Sequence, residues 1–151
     1  MVFLLESVGV YYTTPNNNII FECNVAYTVG ITIGFPPYDV NEPDRSKSNT
    51  FQLLLDTGSS NTAVTTPSCC TSSVLYTCIN TCVKSTVKVS VQYVVGEWKG
   101  NIVSDSFSSS ELKIHKDIQF AEIITQSDFI QSGFQGILGI AYPALAQVYS
   151  T

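Results

Sequence analysis

Charge is scarce in this chain. Only 13% of its 151 residues are Asp, Glu, Lys or Arg, and the seven basic residues are outnumbered by twelve acidic ones. A net charge of −5 with no basic cluster excludes an electrostatic nucleic-acid surface, so no nucleic acid is expected as a partner. There is a single histidine, His115, between Ile114 and Lys116, with no Ser, Cys or Glu constellation beside it. It reads as a surface or turn residue, and a Ser-His-Asp triad has no support. No apolar run is long enough to span a bilayer, no long amphipathic helix offers a membrane or groove-binding face, and no glycine-rich phosphate loop or internal repeat occurs.

What is present is a globular composition. Hydrophobic residues make up 44% of the chain, and the length suits one domain able to bury a sizeable core. Short runs of Val, Ile, Thr, Tyr and Phe alternate with Gly, Pro, Asn and Ser, which predicts an all-β fold. The expected strands are Val25–Ile33, Thr50–Asp56, Ala63–Thr65, Thr86–Tyr93, Glu97–Ser106, Leu112–His115, Ile118–Thr125 and Gly136–Gly139. Val87, Val89, Val91 and Tyr93 alternate with Lys88, Ser90 and Gln92, so that strand has one wet face. Asn16-Asn17-Asn18 and Ser108-Ser109-Ser110 read as turns, and Phe35–Ser48, with its prolines and charges, as an exposed loop. One short helix is expected to start near Pro143.

Five cysteines are present, four of them between Cys69 and Cys82 in the spacing C-C-x7-C-x3-C. That spacing fits either a metal site or a disulfide loop. The segment has no His or acidic residue and is rich in Ser and Thr, which favours disulfides in an oxidising compartment over zinc, so no metal is expected. Cys23 is left over, as a free thiol or a buried small hydrophobe.

The stretch that carries chemistry is Leu53-Leu54-Leu55-Asp56-Thr57-Gly58-Ser59-Ser60-Asn61. An apolar strand delivers a carboxylate into a turn of small residues. Such a group is poorly solvated and needs hydrogen bonds to hold it. Thr57 and Ser59 supply hydroxyls, and Gly58 lets the backbone turn sharply. A bare Asp-Thr-Gly is more simply read as an Asp capping its own turn.

The longer pattern resembles the pepsin-like aspartic proteases, peptidase family A1. Asp56–Asn61 is similar to the family's first active-site motif. Tyr27–Pro37 resembles its opening strand and turn, Val91–Gly100 its flap hairpin, and Gly136–Pro143 the strand that threads beside the catalytic loop. These segments occur in family order. Asn61-Thr62-Ala63-Val64 lacks the tryptophan usual after the motif, and the sole tryptophan is Trp98 in the hairpin, as in the beta-secretase (memapsin) branch. The loop at Tyr38–Ser48 and the cysteine cluster depart from that branch.

The resemblance implies a pepsin-like β-barrel lobe over residues 23–151, after an N-terminal segment 1–22 that is a partial or lobe-linking strand. It implies peptide hydrolysis without a cofactor, with Asp56 as one catalytic carboxylate and Thr57, Gly58 and Ser59 in support, Ser59 bonding the outer oxygen of Asp56. Tyr93, Val94, Val95, Gly96 and Trp98 would form the flap over an extended peptide, with the Trp98 indole touching or bonding the Tyr93 hydroxyl. Phe129, Ile130 and Phe134 either wall an apolar substrate pocket or are plain core.

No second Asp-Thr-Gly or Asp-Ser-Gly is present; Asp105 and Asp128 do not fit. The expectation is therefore a partner carboxylate from a C-terminal lobe absent from this sequence, or from a second copy. The alternative is a non-catalytic peptide-binding module. Met1–Val10 is apolar but lacks a basic start and contains Glu6, a poor signal peptide. The family resemblance implies a secretory, endolysosomal or extracellular setting and leaves open a membrane anchor in the full-length protein.

Overall fold

A computed structural model describes residues 7–8, 12–13, 19–20, 26–34, 50–72, 74–78, 81–93, 96–130 and 133–146. The expected Asn16–Asn18 turn, the Phe35–Ser48 loop, Cys23, Val94 and Val95 lie outside the described residues. Ten strands follow in order. They are β1 (Ser7–Val8), β2 (Tyr12–Thr13), β3 (Ile19–Ile20), β4 (Ala26–Ile33), β5 (Thr50–Asp56), β6 (Ala63–Thr65), β7 (Val83–Gln92), β8 (Glu97–Ser109), β9 (Ile114–Ser127) and β10 (Gly136–Gly139). A single 3-10 turn, Pro143–Leu145, is the only helical element among the described residues, with its proline in the first turn as expected.

The fold is all-β. Strands β5, β6 and β10 have the expected bounds, and β4 matches the expected strand from Ala26 to Ile33, Val25 lying outside the described residues. Two expectations fail. Leu112–His115 and Ile118–Thr125 are not separate strands: β9 runs unbroken through Lys116 and Asp117, which pair with Phe107 and Ser106 of β8. Both are solvent-exposed, so their charges cost nothing on that face. Ser108 and Ser109 belong to the end of β8 instead of a turn. Tertiary pairing overrides the local turn chemistry there.

Eight strands make one mixed sheet in the order β1-β4-β5-β10-β6-β9-β8-β7. A further pairing of β4 with β8, Thr32 opposite Ser108 and Ile33 opposite Phe107, closes the sheet on itself. The ring β4-β5-β10-β6-β9-β8 leaves no free edge among its members. Within it, β10 runs parallel to β5 and β6 parallel to β9.

Successive side chains of a strand point to opposite faces, and here both faces are covered. One core contains Ile31, Phe51, Leu53, Val64, Val103 and Phe120; the other contains Ala63, Val91, Trp98, Ala121, Ile123 and Ile137. Leu53 and Leu55 feed the first while Leu54 feeds the second, and Val64 and Ala63 divide the same way. This explains the unbroken apolar runs of β5, β6 and β10, which an alternating one-sided strand would not need. Each fully buried side chain of this size contributes roughly 1.5–3 kcal/mol.

The first core also holds a carboxylate. Asp105 is 3% exposed. Its Oδ2 accepts from the Tyr76 hydroxyl at 3.0 Å, and its Oδ1 accepts from the Thr81 hydroxyl and the Ser106 amide, each at 2.8 Å. Tyr76 wedges between Phe51 and Phe120 in edge-to-face contacts. These bonds fasten Tyr76 and Thr81 of the cysteine segment to the first core. Burial first, then the bond to Asp105 and its charge, push the Tyr76 hydroxyl far above the ordinary tyrosine range.

Asp105→Ala removes the acceptor of the Tyr76 hydroxyl and the Ser106 amide, while the Thr81 hydroxyl keeps the Gly34 carbonyl at 3.0 Å, and should lower stability by about 3 kcal/mol, a drop in melting midpoint on the order of 10 °C. Asp105→Asn, which keeps one acceptor, should lose less than half of that. The Tyr76 proton is held more tightly in the folded chain, so its contribution is complete below the unfolded tyrosine pKa of 10.0 and drains as pH rises above it. The stability gap between the parent and Tyr76→Phe should accordingly narrow between pH 8 and alkaline pH in paired thermal melts.

Candidate functional site

Asp56 is the last residue of β5, and the sheet fixes where it points. In the parallel β5–β10 pair, Gly139 sits opposite Asp56. As β10 leaves the sheet it clamps the following loop. The Ile140 amide donates to the Asp56 carbonyl at 2.9 Å, the Ala141 amide donates to the Ser59 carbonyl at 2.9 Å, and the Ser60 hydroxyl donates to the Tyr142 carbonyl. This approach requires glycine at position 139: a Cβ there would lie 2.7 Å from the backbone of Ser60 and Asn61, closer than any real contact.

The Asp56 carboxylate is half-buried, and its Oδ1 accepts from the Gly58 amide at 2.8 Å. Gly58 therefore supports the acid through its backbone. Thr57 is exposed. The expected bond from Ser59 to Asp56 is not made. The buried Ser59 hydroxyl has no hydrogen-bond partner, and it lies near the hydroxyl of Tyr93 instead.

The hairpin of β7 and β8 supplies the opposite wall. Its tip is closed by the Tyr93 amide donating to the Gly96 carbonyl at 3.0 Å. Gly96 has a φ of +84°, and a Cβ there would strike the backbone of Asp128 and Phe129 at 2.7–2.8 Å. The tip of the hairpin at Gly96 thus lies directly against the backbone of Asp128 and Phe129. The Tyr93 ring stacks on Phe129 at 5.0 Å and 13°, and Phe129 also meets Trp98 at 6.3 Å. Trp98 is fully buried, and Tyr93, Phe129 and Ile130 pack against the same apolar cluster.

Three polar atoms converge under the hairpin: the Tyr93 and Ser59 hydroxyls and the Trp98 indole N–H. None closes a hydrogen bond of good geometry, yet they act on one another. Burial raises the Tyr93 pKa above its ordinary value, the Ser59 and Trp98 groups pull it back, and the negative charge of Asp56 adds to the rise. Tyr93, Trp98, Ser59 and Asp56 are therefore brought within one electrostatic neighbourhood. Ile130 and Phe134 stand apart from it, lining a cavity of about 420 Å³ beside Cys69 and Cys70.

One positioning residue gave no signal in the sequence. The Gln126 side-chain carbonyl accepts from the amides of Phe129 and Ile130 at 3.0 and 3.1 Å, holding Phe129 beneath Tyr93 next to Asp128, which itself has a φ of +53°. A lone glutamine before a Ser-Asp turn looks like any other. Among the described residues no group of His, Cys, Asp or Glu could hold a metal ion. Because the Trp98 N–H favours the ionised form of Tyr93, Trp98→Phe should move the Tyr93 pKa further up in a tyrosine-labelled NMR titration. An unchanged value would detach the indole from that hydroxyl.

Residues 26–151 match the family model described as "Eukaryotic aspartyl protease". Among similar proteins, "Cathepsin E" of Mus musculus is 32% identical over 97% of this chain and 36% of its own length. "Gastricsin" of Cavia porcellus is 31% identical over 82% of this chain and 30% of its own. "Beta-secretase" of Strongylocentrotus purpuratus is 30% identical over 94% of this chain and 25% of its own. The chain thus spans about a third or less of the length of the curated relatives it matches, and the likeness to beta-secretase is no stronger than that to the other two. An all-β fold matched over residues 26–151 by this family model, with relatives at 30–32% identity, makes the chain a member of the eukaryotic aspartyl protease family.

Proposed function

We propose that this chain is the Asp56-bearing half of an aspartic endopeptidase, corresponding to an N-terminal lobe. The observation that carries the reading is the clamped Asp56 carboxylate, close enough to the hairpin for its charge to be felt by Tyr93. Asp56 is the catalytic carboxylate, Thr57, Gly58 and Ser59 hold its loop, and Tyr93 with Val94, Val95 and Gly96 covers an extended peptide, as strand addition does.

Hydrolysis needs a second carboxylate. Two such groups at close range share one proton, because both cannot ionise easily, as is known of aspartic proteases. The ionised member takes a proton from water and the protonated member polarises the scissile carbonyl. No cofactor takes part. The second carboxylate comes from a C-terminal lobe or from a second copy. Ile140 and Tyr142, 52% and 83% exposed directly after the Asp56 clamp, support a partner face at this edge, since large apolar side chains beside a site favour cover. The chain alone is then inactive unless two copies pair. Disulfides at Cys69–Cys70 and Cys78–Cys82 support an oxidising, secretory or endolysosomal setting.

The test is cleavage of apolar fluorogenic peptides at acid pH across a concentration series of the chain, with and without a statine-type inhibitor. Absent activity that appears on adding a second Asp-bearing lobe supports the lobe reading; activity rising as the square of concentration supports paired copies. In either case Asp56→Asn should cut the rate by about 10³-fold or more. Activity that survives this substitution removes Asp56 from the mechanism, and inhibitor binding without cleavage in any combination favours a peptide-binding module.

A further inference from the structure

The cysteine segment forms two disulfides of unlike kind. Cys78–Cys82 closes a short loop, and Cys78 packs against the barrel core. Cys69–Cys70 joins neighbours in sequence. A cross-link stabilises chiefly by removing loop entropy from the unfolded chain, and that gain grows with loop length. Between adjacent residues it is close to nothing, so this bond is no staple. The backbone around it is secured by other means. The amides of Cys69 and Cys70 both donate to the Thr66 carbonyl at 3.2 Å, the Thr66 hydroxyl donates to the Ile123 carbonyl at 2.6 Å, and the Tyr76 amide donates to the Thr65 carbonyl at 2.8 Å.

Three observations say what the pair is suited to. Both cysteines are half-buried and wall a cavity of about 420 Å³, together with Thr71, Ser72, Gln126 and Phe134, which gives a small dithiol room to reach the sulfurs. The Cys69 sulfur lies 3.4 Å from the Thr66 carbonyl oxygen. A disulfide sulfur carries no proton and gains nothing there, whereas a thiol can donate weakly to that oxygen, sharing it with the amides of Cys69 and Cys70, so the reduced form has a polar neighbour in reach. Cys69 also packs against the apolar cluster that contains Trp98 and adjoins Tyr93, which puts the redox state of the pair in contact with the base of the hairpin.

We propose that Cys69–Cys70 is a thiol–disulfide exchange site for dithiol reductants, while Cys78–Cys82 remains structural. A reductant thiolate attacks the Cys70 sulfur from the cavity. The Cys69–Cys70 bond breaks, a mixed disulfide forms on Cys70, and Cys69 leaves as a thiolate that takes up a proton and bonds the Thr66 carbonyl. The second thiolate of the reductant then attacks its own sulfur in the mixed disulfide and releases Cys70, which is protonated in turn. Two electrons and two protons reach the pair, and the dithiol becomes a disulfide.

The test equilibrates the full chain with graded ratios of reduced to oxidised dithiothreitol, traps thiols with iodoacetamide, and counts labels per peptide by mass spectrometry. Emission of Trp98, the sole tryptophan, is followed in parallel. Two labels should appear on the Cys69–Cys70 peptide at a ratio at least about tenfold lower than any on Cys78 and Cys82, with the emission changing in step. Cys69→Ser/Cys70→Ser should melt within about 2 °C of the parent and lose the emission response, and Cys78→Ser/Cys82→Ser should keep it. Simultaneous labelling of all four cysteines, a need for denaturant, cross-pairing of 69 or 70 with 78 or 82, or a double variant melting far below the parent would each overturn the proposal.

Discussion

The arrangement depends on β10 passing between two strands that do not pair with each other. It lies parallel to β5 and antiparallel to β6, then exits across the loop that joins them, where Gly139 lets backbone press on backbone. Amides of residues 140 and 141 seize carbonyls of Asp56 and Ser59. A loop bearing a half-buried carboxylate would otherwise relax toward water, since burying charge is costly. Threading by β10 turns that loop into a fixed feature of the sheet. The same strand places Leu138 in one core and Ile137 in the other, so the clamp is anchored on both faces.

The hairpin is built on the second core instead of the first. Trp98 fills that core and Phe129 bridges it to Tyr93, while the Gln126 side chain holds the segment bearing Phe129. Packing therefore sets the height of Tyr93 over the Asp56 loop. The polar ends of Tyr93, Trp98 and Ser59 meet there without completed bonds. Buried polar groups ordinarily find partners, and a cluster short of them is expected at a site whose geometry tightens when a ligand arrives.

Asp105 and Asp56 are held differently. Asp105 is saturated by Tyr76, Thr81 and a backbone amide, and it serves to hold the cysteine loop on the barrel. Asp56 is met by the Gly58 amide at one oxygen. Asp56 ends the apolar strand β5, whereas Asp105 lies within the more polar β8.

Much of this was written locally. Runs of β-formers bounded by small residues marked the strands, because β propensity and turn chemistry are near-neighbour effects, and Asp56, Tyr93 and Trp98 stood in a pattern specific enough to name a family. Three things were decided only by the closed sheet. Lys116 and Asp117 continue β9 because their partners on β8 leave them in water, the Ser59 hydroxyl lies by Tyr93 of the β7–β8 hairpin instead of bonding Asp56, and Asp105 becomes a core anchor because Tyr76, 29 residues away, reaches it. Each depends on a contact between residues distant in sequence, and such contacts leave no periodic trace along a single chain.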